Sequence, residues 1–251
     1  MVSPARRALI TGAARRVGAE IAHQLHADHD LLLHCRRSRD EAVALAATLE
    51  AIRPQSTRIV EGELGAEDAR AHLAAAVGVA PLDLVVFNAS RYARSDLAAA
   101  PAVRNQDLRD FFEVNVVASW DLALRLRPAL AAAARARGDA AIVVILDLYA
   151  QRPLPGYEAY SISRAAGAML VQALARAFGD EGIRVNGVAP GTVLWADGPL
   201  RAETEALLTA RTALGRIGSP ADVAAAVRYL AAARYVTGSV LPVDGGRGTF
   251  V

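Results

Sequence analysis

The amino-acid sequence predicts an α/β fold: a single doubly wound parallel sheet of seven strands, with helices on both faces. Short apolar runs alternate with longer segments of helical character along the whole chain. One run, Ala141–Leu146, is continuously apolar, as in strands buried on both faces of a parallel sheet. Near the start, a glycine-containing turn joins the run Ala8–Ile10 to an amphipathic segment. Strands that alternate with helices in this way run parallel to one another.

The seven strands are expected near residues 7–11, 30–35, 57–61, 82–88, 141–147, 183–189 and 239–243. Helices are expected to fill the intervals, with long ones near 105–136 and 157–179. Pro128 falls inside the first long helix, where we expect it to kink the helix rather than separate two domains. No linker, repeat or low-complexity tail interrupts the pattern, so residues 1–251 are interpreted as one domain.

The composition excludes several classes of protein. The net charge is only +2 and no long run of one sign occurs, which argues against nucleic acid as a partner. Cys35 is the single cysteine and the five histidines lack metal-ligand spacing, so neither an internal disulfide nor a metal site is expected. No uninterrupted apolar stretch reaches the roughly 18 residues of a membrane span, and Met1–Arg7 lacks the apolar core of a signal peptide. A cytoplasmic protein without a membrane partner is therefore expected.

The turn after the first strand reads T-G-A-A-R-R-V-G and is predicted to bind phosphate. A strand, a glycine turn and a helix in this order place backbone N–H groups and a helix N-terminus beneath an anion. Gly12 and Gly18 bracket a loop longer than that of the G-x-G-x-x-G pattern. Arg16 stands where related loops carry a middle glycine. A purely structural glycine turn is the alternative interpretation.

A second group of residues, Asp147, Tyr160 and Arg164, is predicted to perform acid–base chemistry. A phenol exchanges protons poorly at neutral pH unless its charged form is stabilised. Arg164 lies one helical turn after Tyr160, so both side chains share a helix face. Asp147 follows a buried strand at its carboxyl end, where open α/β sheets place their ligands. The alternative for Asp147 is an acid that caps a helix or forms a salt bridge.

Ordered motifs along the chain resemble those of the short-chain dehydrogenase/reductase family. That family carries T-G-x3-G-x-G near its start and Y-x3-K late in the chain, and the corresponding segments here are Gly12–Gly18 and Tyr160–Arg164. Further matches are Asn88-Ala89-Ser90 for N-A-G, Asn115 for the helix asparagine, RVNGVAPG at 184–191, YVTG at 235–238 and VDGG at 243–246. The resemblance spans about residues 8–247. It implies a Rossmann fold and a nicotinamide dinucleotide cofactor.

Within that family the details are similar to the pteridine reductases and the dihydromonapterin reductases. Their first loop reads T-G-A-A-K-R-[LI]-G, and their second strand ends in H-x-x-R-S, as does His34–Ser38. They carry N-A-S with an aromatic residue two positions later, a position that Tyr92 fills. They also replace the usual catalytic serine with an aspartate thirteen residues before the tyrosine, which corresponds to Asp147. The alternative for Tyr92 is an ordinary half-buried loop aromatic.

This resemblance implies reduction of a dihydropteridine C=N bond by NADPH, with Tyr160 as the proton donor and Asp147 orienting the substrate and sharing the proton. Asn115 would hold a water molecule in the proton relay. A pterin is flat and bonds through an amidine edge, so an aromatic face and a carboxylate suit it. The implied substrate-binding residues are Arg16, Ser90, Tyr92, Asp147 and Tyr160. A substrate loop at about 191–212 would include a lid at Leu194–Pro199.

NADPH rather than NADH is indicated by charge at the end of the second strand. An NAD site usually has an acid there, whereas an NADP site has arginine for the 2′-phosphate. Here the strand runs into Arg36-Arg37-Ser38, and Arg15 faces the same pocket; a solvated basic turn is the alternative. Glu63-Leu64 replaces the family's Asp-Leu beside the adenine. The expected cofactor-binding residues are Gly12, Arg15, Arg16, Val17, Gly18, Arg36, Arg37, Ser38, Glu63, Leu64, Asn88, Ala89, Ser90, Tyr160, Arg164, Pro190, Gly191 and Val193.

Arg164 is the main departure from the family, which has lysine at this position. Arginine supplies charge and hydrogen bonds but is effectively never deprotonated. The chain contains no lysine at all, and its 28 basic residues are all arginine, so the exchange follows the composition. Two alternatives therefore stay open beside the pteridine reductase. One is a ketoacyl-type carbonyl reductase, against which Asp147 argues, and the other is a protein that binds nucleotide without turnover.

The resemblance also implies a homotetramer. In the family, the two long helices pair between subunits in a four-helix arrangement. Alanines on these helices would permit close approach; they are Ala123, Ala165, Ala166 and Ala173.

Overall fold

The computed structural model describes residues 5–193 and 202–249, which include one seven-stranded sheet. Its strands are β1 (Arg6–Ile10), β2 (His29–Cys35), β3 (Thr57–Glu61), β4 (Leu84–Phe87), β5 (Ala140–Ile145), β6 (Ile183–Pro190) and β7 (Val240–Val243). The spatial order is β3-β2-β1-β4-β5-β6-β7, and every neighbouring pair is parallel. The predicted fold class is confirmed.

The helices of the described residues lie on both faces of this sheet. They are α1 (Arg16–Leu25), α2 (Arg39–Glu50), α3 (Glu67–Val77), α4 (Pro101–Phe112), α5 (Ala118–Arg137), α6 (Glu158–Phe178), α7 (Ala202–Ala210) and α8 (Pro220–Ala232). Helices α3, α5 and α6 pack on one face, and α1, α2 and α8 pack on the other. Each residue of β4 and β5 is buried, because both faces are covered.

The chain order reverses between β1 and β4, which are neighbours although β2 and β3 lie between them in sequence. The loops after these two strands must therefore leave the carboxyl edge of the sheet in opposite directions, which opens a crevice. The first glycine loop follows β1, and Asn88 follows β4. The sheet thus brings the sequence-predicted groups to one edge.

The long helix expected near 105–136 is divided in the structure. Helix α4 passes into one π-helical turn, Glu113–Val117, before α5 begins. Such turns insert one residue per turn and occur frequently at functional sites. The π-helical turn contains the buried Asn115. Pro128 lies inside α5, which continues to Arg137, so the helix is not divided there.

One of the alanines expected at a subunit interface, Ala123, lies in the core instead. Ala123 is fully buried in the core of its own chain, because its face of α5 packs on the sheet. The exposed apolar residues of α5 are instead Trp120 and Leu124. Ala165 and Ala173 on α6 are exposed and Ala166 is partly buried, and their contact with another subunit stays a prediction.

Leu194–Pro199, the predicted lid, lies outside the described residues. Among the helices that the structure describes, none combines the length and apolar character that a bilayer crossing requires. Within the same residues, no cluster of histidine, cysteine and acidic side chains could hold a metal ion. The cytoplasmic location stays a prediction.

Candidate active site

The first loop adopts a backbone that favours glycine at two positions. Gly12 has φ +62° and Arg16 has φ +54°. Arginine at the second position accepts the left-handed conformation at a cost of about 1–2 kcal/mol relative to an ordinary φ. Gly18 packs so closely that an added Cβ would lie 2.2 Å from the carbonyl oxygen of Gly12. The loop therefore keeps its shape although arginine replaces the middle glycine.

Thr11 and Asn88 join this loop to the end of β4. The Asn88 side chain donates to the carbonyl oxygens of Thr11 and Gly12, at 3.0 and 2.9 Å. In return, the Thr11 hydroxyl accepts the N–H groups of Asn88 and Ala89, at 2.9 and 3.0 Å. Asn88 and Ala89 therefore position the loop in this structure, while Ser90 is exposed at the crevice.

Asp147 and Tyr160 form a direct pair. The Tyr160 hydroxyl donates to Asp147 Oδ2 at 2.6 Å, and Asp147 Oδ1 accepts the N–H of Tyr149 at 3.0 Å. Asp147 thus also caps the short 3₁₀ turn Leu148–Ala150, the alternative role considered for it. Burial raises the pKa of Asp147, although the hydrogen bonds from Tyr149 and Tyr160 oppose the shift. Both carboxylate oxygens act as acceptors in this arrangement.

Arg164 lies behind the tyrosine, as the helical spacing predicted. It is buried, its Cζ lies 5.0 Å from the centroid of the Tyr160 ring, and its Nη1 donates to the carbonyl of Ile145 at 3.3 Å. Its Nε is buried without a hydrogen-bond partner among the described residues. Burial raises the pKa of Tyr160, and the Arg164 charge opposes that rise. The phenol is therefore held protonated at neutral pH.

Tyr92 lies beside this pair in a cluster of aromatic rings. Its ring meets the Tyr160 ring edge-on, with centroids 4.9 Å apart. Tyr92 also stacks on Tyr157, with ring centroids 4.8 Å apart, and the Arg94 guanidinium lies over the Tyr157 ring. Tyr157 and Arg94 were not predicted as site residues. Only the three-residue spacing to Tyr160 could have indicated Tyr157, which precedes α6 as its N-cap residue.

Asn115 connects the loop after β4 to α6. Its Oδ1 accepts the N–H of Arg91 at 2.8 Å, and its Nδ2 donates to Ser163 Oγ at 2.9 Å. Ser163 in turn donates to the carbonyl of Tyr160 at 2.7 Å. Both amide atoms of Asn115 are therefore engaged by protein groups. The role of Asn115 as a water ligand stays a prediction, and Ser163 is a supporting residue that sequence reasoning missed.

The basic residues near β2 are largely paired with acids. Arg36 forms an ion pair with Glu63 at 2.9 Å, and Arg15 lies 3.6 Å from Glu41. Arg37 is exposed and forms no ion pair with any residue that the structure describes. Ser38 precedes α2 as its N-cap residue. Among Arg15, Arg36 and Arg37, the last is therefore the one whose charge no described acid neutralises.

The opposite wall of the crevice is built by the end of β6. Pro190 is buried, and the N–H of the next residue, Gly191, donates to the carbonyl of Val243 at 2.9 Å. A Cβ on Gly191 would lie 2.8 Å from Cα of Asp244, so the close approach requires glycine. Val17 and Val193 pack against the core on one face of the sheet, and Leu64 belongs to the core on the other face.

Comparison with known proteins agrees with this architecture. A family model described as enoyl-(acyl carrier protein) reductase matches residues 12–247. Pteridine reductase 1 of Leishmania tarentolae is 32% identical over 276 aligned positions, which cover 95% of each chain. A putative ketoacyl reductase of the granaticin polyketide synthase from Streptomyces violaceoruber is also 32% identical, over 95% of this chain and 94% of its own. An uncharacterized oxidoreductase of Bacillus subtilis is 29% identical over 96% of this chain and 98% of its own.

Proposed function

Because the chain belongs to the short-chain dehydrogenase/reductase family of oxidoreductases, we propose that it reduces dihydropteridines with NADPH. The observation that supports this proposal best is the hydrogen bond of 2.6 Å between Tyr160 and Asp147. Arg164 lies behind this pair and Tyr92 beside it. The proton donor Tyr160, the acceptor Asp147 and the aromatic ring of Tyr92 thus lie together.

The residues present fit a nicotinamide dinucleotide. The left-handed backbone at Gly12 and Arg16 leaves the start of α1 facing the crevice, where N–H groups of a helix N-terminus favour an anion. Arg37 would bind the 2′-phosphate, with Arg36 and Ser38 beside it. Arg164 would bind the nicotinamide ribose, for which its buried Nε has an unused N–H. When bound, NADPH supplies the hydride.

The chain's own residues supply and control the proton. Tyr160 is protonated at neutral pH and would donate its hydroxyl proton to the substrate nitrogen. In the resting arrangement, Asp147 accepts a hydrogen bond from the Tyr160 hydroxyl. After Tyr160 has given its proton to the substrate, Asp147 would share the proton that reprotonates the phenolate. Arg164 is always charged, so it would stabilise the phenolate as it forms but cannot itself pass a proton. The Asp147–Tyr160 pair therefore has to carry the relay.

Asp147 also favours a pterin over a ketone. Both of its oxygens accept hydrogen bonds, so it matches a substrate edge that carries N–H donors. A ketone offers only acceptor lone pairs, and an ionised carboxylate would repel the oxyanion that develops on it. The similarity to the granaticin ketoacyl reductase keeps a carbonyl substrate as the second candidate.

The test is NADPH oxidation by the purified protein with dihydromonapterin or dihydrobiopterin, followed by the loss of absorbance. A ketoester at equal concentration serves as the control substrate, and NADH as the control cofactor. Turnover of the pterin alone supports the proposal. Turnover of the ketoester alone assigns the protein to the carbonyl reductases, and NADPH binding without turnover of either substrate supports a non-catalytic role.

We further propose a homotetramer. Apolar side chains are exposed on two helices that pack on the same face of the sheet: Trp120 and Leu124 on α5, and Ile162 and Met169 on α6. A single exposed apolar residue is ordinary, but several on one side of a domain favour a protein interface. Light scattering after size-exclusion chromatography should give four times the mass of one chain, 26.4 kDa. A monomer at micromolar concentration would contradict the proposal.

A further inference from the structure

His34 lies under the first loop and holds the loop to the sheet. It is the next-to-last residue of β2 and is 2% exposed. Its Nδ1 accepts the N–H of Gly12 at 3.2 Å, and its Nε2 lies 3.0 Å from the carbonyl oxygen of Gly62. Its own backbone carbonyl accepts the N–H of Ala13 at 2.8 Å. His34 therefore accepts the N–H groups of two consecutive loop residues, Gly12 and Ala13.

The two partners of the ring fix its hydrogen positions. A carbonyl oxygen only accepts, so Nε2 must carry the hydrogen that is donated to Gly62. A backbone N–H only donates, so Nδ1 must be the bare nitrogen that accepts from Gly12. The bonds require the neutral imidazole, and burial lowers the pKa of His34. The negative charge of Glu63, which forms an ion pair with Arg36, opposes this shift.

The position of Gly12 decides the position of the start of α1. The N–H of Gly12 is held by His34, and its carbonyl oxygen is held by Asn88 at 2.9 Å. That oxygen also lies against Gly18, where an added Cβ would be only 2.2 Å away. Any shift of Gly12 must therefore move Gly18 and the first turn of α1, which would carry the pyrophosphate.

We infer that His34 is a positioning residue for dinucleotide binding: its neutral imidazole ties the first loop to the end of β3 and so sets the loop's affinity for the cofactor. This inference rests on the proposed nucleotide site. His34 itself touches neither the substrate nor the reacting atoms. Its loss should therefore raise the Kd and the KM for NADPH and leave kcat at saturating NADPH nearly unchanged.

The experiment compares His34→Leu with His34→Gln by fluorescence titration of NADPH and by steady-state kinetics. Leucine fills similar volume without hydrogen bonds, and we expect it to raise the Kd roughly tenfold, the equivalent of one lost hydrogen bond. Glutamine offers one acceptor and one donor, and we expect it to stay within about threefold of the wild type. If leucine prevents folding, His34→Val replaces it, because a β-branched residue suits a buried strand.

His29→Leu is the matched control, since His29 is also buried and lies at the opposite end of β2. Its ring bonds to Asp28 at 2.9 Å, so its loss should affect thermal stability without a change in the Kd. Equal NADPH affinity in the His34→Leu and wild-type proteins would overturn the role inferred for His34 but not the proposed function. Equal losses of affinity in the two leucine variants would also overturn it, as a general effect of stability. Absence of nucleotide binding by the wild type would overturn the proposed function and this inference together.

Discussion

The two ends of the crevice hold their charges in opposite ways. At the reaction end, Tyr160 contacts both Asp147 and Arg164; Tyr160 and Arg164 are almost excluded from water, and Asp147 is partly buried. At the adenosine end, Arg36 and Glu63 form an ion pair whose side chains are 52% and 46% exposed. Water and salt screen the second pair strongly and the first group only weakly.

This difference indicates which residues control rate and which control affinity. Moving a proton among buried groups changes a charge where the solvent cannot compensate it, so small changes there should alter turnover greatly. An exposed arginine meets a phosphate in competition with water and neighbouring acids, so its loss should cost a modest amount of binding. The following predictions test that division in order of expected size.

Tyr160→Phe should give the largest effect. Without the phenol, no group at this position can donate the proton, so kcat should fall by a factor of about 10² to 10⁴. NADPH affinity should stay within about twofold, which a fluorescence titration measures. Tyr149→Phe is the control, because it keeps both the backbone N–H that Tyr149 donates to Asp147 and the ring that packs beside Tyr160. A Tyr160→Phe protein that retains a tenth of wild-type kcat would rule out the proposed acid.

Arg164→Met should rank second. Methionine keeps much of the length but removes the charge that opposes the raised pKa of Tyr160, so kcat should fall tenfold or more. Arg164→Lys restores a cation and should stay within about threefold of the wild type. Pre-steady-state hydride transfer at saturating NADPH measures both. A large loss in the lysine variant would show that the site has adapted to the guanidinium.

Arg37→Ala should weaken NADPH binding roughly tenfold, since an arginine–phosphate bond is charge-assisted. Arg36→Ala should cost less than about threefold, because Glu63 already opposes that charge. NADH affinity should change in neither variant. Titrations at low and high salt check the assignment, since salt should shrink the difference. Equal losses in the two variants would contradict the division of roles.

The smallest expected effect concerns stability rather than turnover, and Asp147→Asn tests it. Burial raises the pKa of Asp147 in the folded state, so its ionised form destabilises the fold. The protonated form of Asp147 is correspondingly favoured by folding. Its stabilising contribution is fully present below the pKa that Asp147 has in the unfolded chain, and it is lost as the pH rises through the higher pKa that Asp147 has in the folded protein. The Tm of the variant should therefore exceed that of the wild type by roughly 2–4 °C at pH 8, which corresponds to about 1 kcal/mol in the free energy of unfolding. Near pH 3.5 the two proteins should have the same Tm. A lower Tm at pH 8 would contradict this account.

The sequence by itself determined the sheet and the convergence of its loops. Continuous apolar runs such as Ala141–Leu146 can be buried only between two layers of helices, and the β-α alternation then requires parallel strands. The spacing of Tyr160 and Arg164 likewise requires a common helix face. These are properties of the local chain, so periodicity and spacing reveal them.

The tertiary structure decided which faces and which partners these residues have. Ala123 faces the core and Trp120 faces outward, because the packing of α5 on the sheet selects between two apolar sides of one helix. Arg36 is paired with Glu63, His34 supports Gly12, and Tyr157 stacks on Tyr92, although 27, 22 and 65 residues separate these pairs. No local pattern specifies such contacts, since hydrogen bonds and ring stacking depend on distances that only the folded chain sets.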